Sequence, residues 1–319
     1  MHSGQAAIDY LATEVGKTDS ATSSHWQKYH SSFRFTGSGF EGLQGFGGYR
    51  KPRGKILSAA ERLLQSRFRK MGGAKFPLLD QLAYDITKKQ NRAYDLDVLR
   101  QALTVSYLYD HADGLLSEKS VGVVVGDGFG SMTSLLLASR SAGRVILVNL
   151  TKTLMVYLWF LKLWMGDQVF GMSVDLVTNP EELSTALGKP ADAGFSRVIA
   201  IQAMDHQLLR ECPPDFGVNI ASMQEMDPPV IAAYFDDFRS IAGHKKLMLY
   251  CCNREEKSLP DGTITRISDY PWDASDEIFD DELCRWHQQY YSFKAPFLRP
   301  YDGPIRHRLA VMTNHRAES

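Results

Sequence analysis

Residues 121–130 read Val121-Gly122-Val123-Val124-Val125-Gly126-Asp127-Gly128-Phe129-Gly130, an apolar run that breaks into a glycine-spaced turn ahead of the helical stretch 131–140. Four valines in five positions favour extended chain, because β-branched side chains pack well on a pleated sheet and are stiff in a helix. Gly126, Gly128 and Gly130 then let the backbone turn tightly and approach a ligand where a Cβ would clash. The free N–H groups opening the next helix face the same space. This pattern predicts a nucleotide-cofactor turn.

Outward from the turn, strand and helix alternate, which predicts a parallel sheet covered on both faces, a Rossmann-like doubly wound α/β fold. Strands are expected at 144–150, 196–203, 215–222, 246–252 and 305–312, the last antiparallel at an edge. Residues 284–293 are a candidate for one more strand, and 255–279 read as a polar surface excursion. Helices are expected at 151–165 and 181–187. Another follows Asp227 and Pro228, with Val230, Ile231, Tyr234, Phe235, Phe238 and Ile241 on one face and Gly243 as its stop. Residues 154–165 fit either crossover core or the face of a homodimer.

Before the first strand, residues 1–24 read as a partly ordered N-terminus, 25–114 as a helical and aromatic-rich module, and 115–319 as the Rossmann-like domain. Residues 25–53 mix Trp26, Tyr29, Phe33, Phe35, Phe40, Phe46 and Tyr49 with six glycines, which predicts an irregular flap packed over something. Three helices follow. Ile56, Leu57, Ala60, Leu63, Leu64 and Phe68 share one stripe, Leu78, Leu79, Leu82 and Ile86 another. Asp97 is placed to cap the third, with Leu99, Ala102, Leu103 and Ser106 on its face.

Composition narrows the class. The 319 residues are 44% hydrophobic and 23% charged, with a formal net charge of −1. No global field points to nucleic acid or an anionic membrane, and a small-molecule or glycan acceptor is the expected partner. Cys212, Cys251, Cys252 and Cys284 show no C-x-x-C spacing and fit a reducing compartment. The first 16 residues lack a signal pattern, and the most apolar helix is short of a membrane span. Cytoplasm is the expected location.

Which nucleotide binds follows from the spacing. A dinucleotide fingerprint needs G-x-G-x-x-G, and the third-glycine position here is Ser131. The run G-x-G-x-G instead resembles the first motif of class I S-adenosylmethionine-dependent methyltransferases. Taken with WQKYHSSFRF, GLQGFGGY, VILVNLTKTL and VNIASMQEMDPPVIAAYFDDF, the chain resembles the sugar O-methyltransferase family from Trp26 to Met312. That resemblance implies S-adenosyl-L-methionine as cofactor and methyl transfer to a sugar or glycosylated hydroxyl.

By resemblance and strand position, Gly126, Asp127, Gly128, Phe129 and Gly130 line the methionine part of the cofactor. Asn149 faces the ribose where family members carry an acidic residue. Ala203 and Met204 lie by the adenine, Asp205 accepts from its amino group, and Ser222 joins the set at the end of the fourth strand. A hydroxyl nucleophile needs a base. Glu225 is the first candidate and His206 the second. Asp205 and Glu225 lack any H-x-x-E or D-x-D spacing, so no metal is expected; His287, His307 and His315 could approach the site through folding, but nothing in their spacing says so. The alternatives are a nicotinamide-dependent oxidoreductase on a related dinucleotide fold, and a non-catalytic cofactor-binding partner subunit, for which Asn149 is the motive.

Overall fold

Side chains alternate across a strand, so Val123 and Val125 face one side of theirs and Val124 the other. All three are buried, in two different hydrophobic clusters, so this strand has cover on both faces. The computed structural model describes residues 1–17, 19, 21–44, 50–112, 114–190 and 197–314. Residues 45–49 of the glycine-aromatic stretch, Phe46 and Tyr49 among them, lie outside the described residues, as do Ser196 and His315.

The described chain builds a nine-stranded sheet. In chain order its strands are β1 (His2–Ser3), β2 (Ser117–Val125), β3 (Ala142–Asn149), β4 (Val174–Val177), β5 (Arg197–Gln202), β6 (Phe216–Ile220), β7 (Leu247–Arg254), β8 (Glu277–Leu283) and β9 (Ile305–Met312). Their spatial order is β1-β4-β5-β3-β2-β6-β7-β9-β8. The run from β4 to β7 is parallel, and β1, β9 and β8 pair antiparallel. Helices Gln5–Glu14, Phe76–Lys89, Leu96–His111, Ser131–Ala138 and Thr151–Met165 pack on one face; Pro180–Gly188 and Pro228–Ala242 pack on the other. This is the doubly wound α/β architecture expected from the pattern. Among the described residues no helix is long and apolar enough to cross a membrane.

The chain leaves β2 for β3 on one side and later returns to β6 on the other. The strand order therefore reverses between β2 and β6, where open α/β sheets place ligands.

Several expectations are corrected. Within residues 1–24, 2–14 form a strand and a helix. β1 extends the sheet edge, and Ala7, Ile8 and Leu11 of the following helix are fully buried. Strands β1 and β4 carry too few residues to show a period. The edge strand is β8, not β9; its Glu277-Ile278-Phe279-Asp280-Asp281-Glu282-Leu283 is the charged kind of sequence that keeps an edge from pairing further. The third helix is capped by Asp95 rather than Asp97, accepting the N–H groups of Asp97 and Val98 at 3.1 Å each. Residues 154–161 are crossover core, with Leu154, Met155, Val156, Tyr157, Leu158, Phe160 and Leu161 all buried. The stripe of helix Lys55–Leu64 points outward instead: Ile56 is 86% and Leu63 74% exposed, while Glu61 turns in toward Arg53 at 3.2 Å and the Tyr291 hydroxyl at 3.3 Å.

Candidate active site

The turn after β2 is built by three left-handed glycines, with φ of +77° at Gly126, +56° at Gly128 and +69° at Gly130. Gly126 needs its missing Cβ twice over, since an added methyl carbon would lie 2.0 Å from Ser222 Oγ. Between Gly126 and Gly128, Asp127 folds its carboxylate back onto the next helix and accepts the N–H groups of Met132 and Thr133, both at 2.7 Å. Burial lifts this carboxyl to about 6, against the opposing pull of those hydrogen bonds. The helix N-terminus therefore already carries its own acid.

These residues wall a cavity of about 220 Å³ at the β2/β6 reversal. Gly126, Asp127, Gly128, Phe129, Asn149, Ser222 and Glu225, all named from the sequence, line it together. Gly130 does not; its left-handed turn opens helix Ser131–Ala138 and packs toward Tyr157 and Leu161. A second, apolar slot shares Trp26, Asn149 and Ser222 with the first and adds Val148, Leu150, Ala203, Met226 and Tyr234. Asn149 thus stands where the polar cavity meets the apolar slot. Its Oδ1 accepts from Leu150 N–H at 2.7 Å and its Nδ2 donates to the Tyr157 hydroxyl at 2.6 Å, which leaves one lone pair and one N–H for a ligand. Tyr157, fully buried and held neutral by that burial, also accepts from Asp127 N–H and so braces the turn from below.

Besides Gly130, three expected residues are not brought to either cavity wall. Met204 is 53% exposed, and Asp205 is half-buried beside it; neither lines a cavity. His206 turns toward helix Pro228–Ala242, where its Nδ1 meets the fully buried Asp237; Arg210 Nε approaches the other oxygen of the same carboxylate at 2.6 Å. A buried carboxylate needs partners of this kind, and that need outweighs any pull toward the cavity. His206 is thus a partner of Asp237 and lines neither cavity.

Glu225 is on the cavity wall. Its Oε1 lies 3.2 Å from Lys257 Nζ and 3.4 Å from His25 Nε2. The turn that carries it is held by three buried amides. Asn219 Nδ2 donates to Val125 O at 2.8 Å, Asn253 Nδ2 donates to Asn219 Oδ1 at 2.9 Å, and Gln224 Oε1 accepts from Arg254 N–H at 2.8 Å. Ala221, also on the wall, sits at φ +54°, a conformation costly for a side-chain-bearing residue. The satisfied amides hold the turn that carries Glu225 in place against the strain at Ala221. Sequence reasoning passed over Asn219, Gln224 and Asn253; polar side chains inside otherwise apolar strand ends were the available signal. It also passed over His25 and Lys257, which arrive from distant chain segments.

No family model matches the chain, and no curated protein matches it. Among solved structures it is similar to the pyocyanin biosynthetic protein PhzM, at 12% identity over 67% of this chain and 57% of that one, with a TM-score of 0.36. It is also similar to the methyltransferase domain of bacterial CtHen1-CN, at 13% identity over 68% and 100%, TM-score 0.36. A third is a mutant of MtNAS, at 12% identity over 96% and 97%, TM-score 0.35. At TM-scores this low the likenesses carry no argument about activity.

The remaining wall carries three arginines, Arg92, Arg100 and Arg254, with Asp97 paired to Arg100 and Asp302 to Arg254. Arg92 stacks 4.2 Å from the Phe129 ring centre and donates to Ser131 Oγ at 3.2 Å. Arg100 and Arg254 flank the Tyr301 ring from 5.2 Å each. Gln101 Oε1, Arg254 Nε and His287 Nε2 are buried without a hydrogen-bond partner, and all three residues line the cavity. This half can take a polar molecule rich in hydroxyl groups.

Proposed function

We propose that this chain is an S-adenosylmethionine-dependent O-methyltransferase acting on a hydroxyl of a sugar or a glycosylated natural product. The observation that carries the reading is the Asp127 cap. A dinucleotide places its pyrophosphate on the N–H groups opening the helix after the first strand. Here those of Met132 and Thr133 are taken by a carboxylate, which would repel a phosphate. A nucleoside cofactor without phosphate suits the same bare-glycine turn, and Ser131 in place of a third glycine agrees with this.

The residues present fit such a cofactor. Gly126 and Gly128 bare the backbone, Asn149 keeps an acceptor and a donor at the junction, and Val148, Leu150, Ala203 and Met226 supply apolar walls for an adenine. S-adenosylmethionine, when bound, supplies an electrophilic methyl group on a sulfonium centre. Glu225, on the cavity wall, would take the proton of an acceptor hydroxyl and so make its oxygen a competent nucleophile. Lys257 and His25 hold the Glu225 carboxylate in one orientation, and Trp26 covers the junction and keeps water from it. Alignment is the main demand of methyl transfer.

Calorimetry with S-adenosylmethionine and with NAD tests the cofactor. Binding of the first and none of the second is expected, and binding of NAD alone would overturn the reading. Transfer of radiolabelled methyl to a panel of free sugars and glycosides tests the acceptor. Glu225→Gln should then lower kcat by about 10²- to 10⁴-fold with cofactor affinity unchanged, the range for loss of a general base. An unaltered kcat would remove Glu225 from that role.

A further inference from the structure

Behind the arginine-bearing wall, away from the glycine turn, Cys252 on β7, Cys284 just after β8 and His287 come together. One donor atom from each lies within 4.8 Å of the other two, and all three residues are buried. Cys284-Arg285-Trp286-His287 forms a single tight turn closed by His287 N–H to Cys284 O at 3.0 Å, which brings an i, i+3 thiol and imidazole to the same side. His287 Nε2 has neither a hydrogen-bond partner nor solvent, an expensive condition for a ring nitrogen that is 5% exposed.

We infer that Cys252, Cys284 and His287 form a zinc site. Two thiolates and an imidazole are the soft and borderline donors that select zinc over the hard cations. Two thiolates also neutralise the ion's double charge, which a buried site requires. Among the described residues no fourth His, Cys, Asp or Glu joins the set. The fourth position therefore falls to water or to a ligand from the cavity that His287 lines. The ion would tie β7 to the segment after β8 and fix His287 in the cavity wall. Binding must release the thiol protons, so affinity should rise with pH. None of this depends on the methyltransferase reading, and the tests below need no cofactor.

The probe is Co²⁺ added to the reduced, chelator-treated full chain. One equivalent should bind with tetrahedral d–d absorption and a thiolate-to-cobalt charge-transfer band, and Zn²⁺ should bleach both. Cys252→Ser and Cys284→Ser should each abolish or strongly weaken the charge-transfer band, whereas Cys212→Ser should keep it. The nearby Asp280, Glu282 and His307 group holds no sulfur and so cannot produce that band. Should the serine variants fail to fold, X-ray absorption of the zinc-loaded wild type decides: two sulfur neighbours at about 2.3 Å with at least one nitrogen are expected. A reduced, folded chain that binds neither ion, or holds it through oxygen and nitrogen alone, would overturn the site.

Discussion

An alanine at Gly126 would put its Cβ 2.0 Å from Ser222 Oγ and 2.3 Å from Ser222 Cβ, and it would do so at φ +77°. The left-handed conformation alone costs about 1–2 kcal/mol for a residue with a Cβ, and the clash adds to it. Gly126→Ala should therefore lower stability in urea titration and abolish cofactor binding in calorimetry. Adding Ser222→Gly removes both offending atoms and should recover part of the stability but none of the strain from φ. A full recovery would mean that the turn is held by contact rather than by conformation. Asp127 gives a prediction of the opposite kind. Its carboxyl is raised from 3.8 to about 6 in the folded chain, so between those values the folded state holds a proton that the unfolded state has lost. Stability contributed by this group therefore rises as pH falls from 6 toward 4, and above 6 the buried charge costs the most. Asp127→Asn removes the titration. Unfolding free energies at pH 7 and pH 5 should show wild type gaining on Asp127→Asn at the lower pH; a loss instead would mean that the two helix N–H groups hold the carboxylate as an anion.

At the scale of elements, two helical leucines have opposite fates. Leu11 lies on a helix whose apolar face is fully buried beneath β1 and β4, and Leu11→Ala should cost about 2–5 kcal/mol in urea titration. Leu63 lies on the clearer amphipathic stripe yet is exposed, and Leu63→Lys should change stability by no more than about 0.5 kcal/mol. The reverse ranking would restore the reading made from periodicity. These two mark what was legible. The parallel strands β2, β3, β5, β6 and β7 could be read because burial on both faces writes a continuous apolar run, and helix Pro228–Ala242 because its start, stripe and stop all agree. The inward turn of Glu61 could not, since it is decided by Tyr291, 230 residues later, and by Arg53. At the site, the glycine turn, Asn149, Ser222 and Glu225 were legible as strand ends. That His206 faces Asp237 was not legible, because an apolar periodicity does not mark a carboxylate buried in the same helix. Cys284 and His287 could be named but not joined, because a thiol and an imidazole three apart gain meaning only when Cys252 is brought beside them.

At the scale of the whole molecule, the N-terminal helix Ser24–His30 closes the site from outside the sheet. Ser23 Oγ donates to Glu225 O, His25 lies beside the Glu225 carboxylate, and Lys152 Nζ donates to His30 O at 3.3 Å. The segment thus joins the acceptor turn after β6 to the crossover helix after β3, and Trp26 lines both cavities between them. A ligand filling the junction would gain contacts from the sheet and from this cover together, and any ligand that binds only the closed form stabilises it by mass action. S-adenosylhomocysteine, the product form of the proposed cofactor, should therefore slow amide hydrogen exchange in residues 24–30 as well as in 126–129 and 222–225. NAD at the same concentration should leave all three segments unchanged, because the Asp127 carboxylate holds the N–H groups a pyrophosphate needs. Protection confined to 126–129 would mean that the aromatic segment is packing for the sheet alone; protection of 24–30 that disappears in Trp26→Ala would place the lid function on that one ring.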